Sequence, residues 1–238
     1  MRGEWMSGAV GWVAGAVGWQ AAPAAQADAR QAGLDAAITV EAVCVTFVGV
    51  ARQRGATGDL DLGPEAVRFL RATQCQDEAH YHFLASIGAQ PRATAFALPE
   101  RGLTDRAGFF QALIDLEAIG VGVHMAAARR FATEGDPRLV EVAYAMGAVD
   151  AQHLALTRSL LGVSPANDRA FARWRFVEMA EAAAALAEAG FGEGGAGAVA
   201  FPGPVARLCA GVFGLVPETT DDALLPRPAV GTPVDGEG

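Results

Sequence analysis

The chain carries one helical hairpin twice, with acids and a histidine in matching places. The first copy holds Glu41 in TVEAVCVTFVGVARQRG, then Asp77 and His80 in DEAHYHFLASIGAQP. The second holds Glu117 in DLEAIGVGVHMAAARRFA, then Asp150 and His153 in DAQHLALTRSLLGVSP. Glu and Asp lie 36 residues apart in the first copy and 33 in the second, and Pro91 and Pro165 follow the histidines by 11 and 12 residues. Units repeated in this way bury their apolar faces against each other. Four carboxylates and two histidines so arranged are what a two-metal site inside a four-helix bundle needs.

Local signals place these residues on helices. Ala36, Val40, Val43, Phe47 and Val50 form an apolar stripe that predicts a first helix over about 29–54. Gly55, Gly58 and Gly63 break it, and Pro64 opens a second helix running to about Ile87. Residues 89–106 form a connection too long for a tight hairpin, and a crossover there makes the second and third helices parallel. The third helix covers about 107–133. Gly135-Asp136-Pro137 turns the chain into a fourth, ending near Gly162. Ser164-Pro165-Ala166-Asn167 reads as another turn, with Asn167 capping a fifth helix to about 190. Beyond Gly190 the composition shifts to Gly and Pro, the mark of an irregular tail. The expected layout is an all-α chain: a leader or signal peptide (1–28), a four-helix bundle (29–165), an added helix (166–190) and a tail (191–238).

The chemistry follows from spacing. Residues i and i+3 share a helix face, so Asp77 with His80, and Asp150 with His153, each aim at one point. Glu41 and Glu117 are lone acids in otherwise apolar runs, which predicts that they face inward. Imidazole and carboxylate together suit iron, manganese or zinc and are too nitrogen-rich for calcium. Burying four carboxylates demands cations or protons alongside them. Glu78 and His82 offer a competing i, i+4 pair. The gapless match of Asp77-His80-Phe83 to Asp150-His153-Leu156 selects the first register and turns His82 toward solvent, another helix or another subunit. Taken alone, Asp77, Glu78, Glu141 and Glu178 are of the kind usually found solvated on alanine-rich helices. His124 follows Glu117 by seven residues, on the same face about 10 Å along the axis, and is a candidate to support the ligands or relay a proton.

Composition narrows the partners. A net charge of −9 argues against nucleic acid, which demands a basic patch. Cys44, Cys75 and Cys209 lack metal-finger spacing and read as small buried residues rather than a disulfide framework, with Cys44 close to the proposed site. Residues 6–20 are apolar but glycine-rich, too short for a stable membrane span. With Ala25-Gln26-Ala27 before Asp28 they form either a signal peptide, which implies export to the periplasm or beyond, or a disordered leader on a cytoplasmic protein.

Residues 30–165 resemble the ferritin-like superfamily, in particular the bacterial ferritin-like domain proteins related to desiccation-associated proteins. DEAHYHFLASIGA, ALIDLEAIGVGV and SPANDRAF carry the resemblance, with AFPGP at 200–204. In that superfamily two helices each supply a Glu and two others each supply Glu-x-x-His. Glu41, His80, Glu117 and His153 match, while Asp77 and Asp150 stand where Glu is expected. The resemblance implies two iron or manganese ions, oxidative chemistry on O2 or peroxide in stress protection, and a possible homo-oligomer. A storage cage fits less well, because a leader and a tail crowd a closed shell. The competing expectation is a metal-free bundle that acts by protein association.

Overall fold

The computed structural model of the protein describes residues 23–203 and Cys209. Glycine and proline set the helix ends. Helix α1 (Pro23–Thr57) stops at Gly58, whose φ of 84° is left-handed, and α2 (Gly63–Ser86) has Pro64 in its first turn. After a four-residue helix, α3 (Arg101–Thr104), the long helix α4 (Arg106–Glu134) begins at Asp105, whose carboxylate accepts from the Gly108 amide at 2.7 Å. Helix α5 (Pro137–Leu160) repeats the device, with the Asp136 carboxylate accepting from Leu139 N at 3.1 Å.

Side-chain contacts fix the helix directions. Gln31 at the start of α1 donates to the carbonyl of Gly88, past the end of α2, so these two are antiparallel. Arg106 and Leu160 relate α4 and α5 in the same way. Arg30 pairs with Glu134 at 2.8 Å, while Phe47 stacks on Phe109 with ring centres 5.1 Å apart, so α1 and α4 also oppose each other. Hence α2 and α4 run the same way, and residues 87–105 travel the length of the helices. Every residue from Ala36 to Val48 is buried, so α1 is covered all round and its apolar stripe is one part of a wider buried surface. The buried Thr39 and Thr46 hydroxyls donate to the carbonyls one turn back, Asp35 O and Ala42 O. Ala25–Thr57 and Arg106–Glu134 are long and apolar enough to cross a membrane, yet 83 % and 67 % of their most apolar windows are buried inside the protein.

Several expectations change. The first helix begins at Pro23, so Ala25-Gln26-Ala27 lies within it, while residues 1–22 of the expected leader fall outside the described residues. The crossover is not plain loop: it holds β1 (Ala95–Ala97) as well as α3. The fifth helix is much shorter than expected. Residues 163–178 are non-helical, a 3-10 turn covers Met179–Glu181, and α6 spans only Ala182–Glu188. The sequence NDRAFARWRF explains this, because Phe171 is 88 % exposed and only Phe176 is buried, its ring against Gly122 of α4. Such a segment has no helical stripe to bury. The expected irregular tail instead begins with β2 (Gly192–Glu193) and β3 (Val199–Ala200), which flank β1 in a three-stranded antiparallel sheet.

Cysteine usage also differs from expectation. Cys75 of α2 and Cys209 form a disulfide, with Cα atoms 5.3 Å apart. Only Cys44 is a free, buried cysteine among the described residues.

Candidate metal centre

Glu41 on α1, Asp77 and His80 on α2, Glu117 on α4, and Asp150 and His153 on α5 all converge in the core. His80 is the most accessible at 9 %, and the others are at 2 % or below. They separate into two adjoining groups: Glu41, His80, His124 and Asp150, and Asp77, Glu117 and His153. Each i, i+3 pair is therefore divided between groups. His80 Nδ1 lies 3.5 Å from both Glu41 Oε2 and Asp150 Oδ1. His153 Nδ1 lies 3.4 Å from both Asp77 Oδ1 and Glu117 Oε2. The duplication thus appears in space as two half-sites of nearly equal dimensions. Donors about 2.1 Å from one cation are about 3.0–3.4 Å from each other in octahedral or tetrahedral array, close to these spacings.

The donors are poised rather than satisfied. Both Asp77 oxygens, Glu117 Oε1, Asp150 Oδ1, His80 Nδ1 and His153 Nδ1 are buried without a hydrogen-bond partner. Native proteins rarely leave such atoms unpaired, and bound cations are one way to satisfy them. Burial, then the Glu117 carboxylate, push the Asp77 carboxyl well above its usual range, and burial with Asp150 and Glu41 does the same to Glu117. Glu41 behaves oppositely. Burial opposes its charge, but His80 and His124 together outweigh that and hold it at about 2.

Two residues shape the site in ways the sequence reading did not assign. Gln76 Oε1 and His153 Nε2 are hydrogen-bonded at 2.8 Å, which sets the ring so that Nδ1 faces Asp77 and Glu117. No pattern marked Gln76 beforehand. His124, read as a supporting residue, is in the first group itself: Nε2 is 2.9 Å from Glu41 Oε1 and 3.3 Å from Asp150 Oδ2. Its spacing from Glu117 carries it along α4 into the neighbouring half-site.

The short Asp150 side chain is accommodated by close helix approach. A Cβ on Gly120 would meet Asp150 Oδ2 at 2.5 Å, and one on Gly147 would meet His124 Cβ at 3.1 Å. The counterpart of Gly120 in the first hairpin is Cys44, whose thiol burial and Asp77 push up in pKa. Cys44 therefore borders the site but joins neither donor group.

Of the competing pair, His82 is half exposed and 3.5 Å from Glu78, as expected for a residue facing away. Glu78 itself is buried at 4 %, contrary to the solvated position expected, with its Oε2 3.4 Å from the disulfide sulfur of Cys209. Its place beside the disulfide explains the burial. Comparison with protein-family models, curated proteins and solved structures finds no match for this chain.

Proposed function

We propose that the chain is a ferritin-like four-helix protein that holds two metal ions, iron or manganese, and serves as an oxidoreductase acting on O2 or a peroxide in stress protection. The observation that carries this reading is the pair of buried half-sites whose nitrogen and oxygen atoms face one another without partners. Glu41 and Asp150 with His80 would hold one ion, and Asp77 and Glu117 with His153 the other. Such a pair supplies redox chemistry that no side chain here provides. The protein's part is to fix the donors, through Gln76 and the glycine contacts, and to exclude water, through burial on all sides. The Cys75–Cys209 link fits a protein of an oxidising compartment, in keeping with export.

A second reading has its own support. His124 between Glu41 and Asp150 supplies a positive charge without metal, and Phe171, Trp174 and Val177 are exposed for association. Elemental analysis of protein from cells supplied with iron and manganese separates the two. About two metal ions per chain are expected, lost on joint Glu41→Ala and Glu117→Ala replacement. Metal-free wild-type protein that melts cooperatively would support the second reading instead.

A further inference from the structure

The hairpin duplication gives each half-site residue a counterpart: Glu41 with Glu117, His80 with His153, and Asp150 with Asp77. Carried seven residues further, the same correspondence pairs His124 with Val48, which is fully buried. It also pairs Gln76 with Val149. Each departure falls on a residue that touches the centre, so the two halves share a frame but not a donor set. One half has two carboxylates and two imidazoles. The other has two carboxylates and one imidazole, with Gln76 orienting it.

We infer that His124 is a seventh protein ligand, which makes the Glu41–His80–His124–Asp150 position the tighter one, filled first, and leaves the Asp77–Glu117–His153 position weaker and more open to small ligands. The inference rests on the two-metal reading above. Geometry favours ligation, because His124 Nε2 points between Glu41 Oε1 and Asp150 Oδ2, the oxygens not facing His80. A second nitrogen also raises affinity for ions later in the divalent series, such as cobalt over manganese.

The test is titration of the metal-free, full-length protein with cobalt(II), followed by visible absorption and calorimetry. Wild type should bind in two steps, near one and two equivalents, with affinities at least tenfold apart. His124→Val, which installs the counterpart residue, should weaken the first step at least tenfold, bring the two together, and alter the first-step spectrum. His124→Gln serves where the valine variant does not melt cooperatively, and should do the same. Two unchanged steps and an unchanged first spectrum in a folded variant would overturn the seventh ligand while leaving the two-metal reading intact. Wild type that binds no cobalt, iron or manganese would overturn both.

Discussion

Gly120 is the smallest residue at the centre and among the most constraining. Its missing Cβ is where the Asp150 carboxylate lies. Gly120→Ala should displace that carboxylate and lower metal content or affinity tenfold or more. Its melting temperature should change little, because alanine gains about 1 kcal/mol of helix propensity over glycine. Metal analysis beside a thermal melt checks this, and an alanine variant with normal metal content would contradict it. Glu117→Gln should separate stability from binding more sharply. Removing a strained buried acid should stabilise the metal-free chain by about 1–3 kcal/mol while depleting metal. Denaturant melts of both metal-free forms give the comparison.

The same residues set a pH dependence for the metal-free protein. Asp77 and Glu117 titrate higher folded than unfolded, so the folded chain holds protons the unfolded chain has released, and stability falls as pH rises from about 4. Glu41, held at about 2, contributes stability above its ordinary 4.5 and loses it as pH falls through 2. His124, pushed up to about 10 by Asp150 and Glu41 against burial, contributes fully below its ordinary 6.5 and loses that as pH rises toward 10. The metal-free protein should therefore be most stable near pH ~5, with added metal restoring stability above neutrality. Denaturant midpoints across that range, with and without metal, decide it; a metal-free midpoint that rises from pH 5 to 8 would contradict the assignment.

At the level of elements, the four long helices were legible because each carries its own start and stop signals and a long apolar face. That the Glu, Asp and His residues meet in the core was legible because helical spacing and the repeat act together, whereas the division of each i, i+3 pair between two groups was not. His124 was legible only in part: sequence fixes its place along α4, but not that the neighbouring half-site lies at that height. The segment 163–178 was misread because Asn167 and an apparent helix former run resemble a helix start, whereas tertiary contacts hold it extended: Phe176 and Arg175 against Gly122, Asp168 paired with Arg158, and Trp174 under Arg129. Strands of two or three residues carry no alternation to read. Phe176→Ala should cost about 3 kcal/mol and expose 163–178 to limited proteolysis before the helices unfold. Unchanged cleavage would show that the segment is held by other contacts.

Across the whole molecule, the Cys75–Cys209 bond joins residues 134 apart, a pairing no local motif announces. Thiol labelling of the folded chain should find no reactive cysteine, and one, Cys44, after unfolding without reductant. Cys209→Ser should destabilise the chain by about 2–4 kcal/mol. Two further reactive thiols in the oxidised, unfolded chain would refute the bond.

The placement of Val48 opposite His124 bears on how such a centre can arise. A dimer of identical single hairpins must place the same residue at both equivalent positions, so its two metal positions stay alike. Joining the hairpins in one polypeptide frees each position to change alone. One substitution can then give a centre with a retaining seat and an exchanging seat, a division of labour closed to its symmetric counterpart.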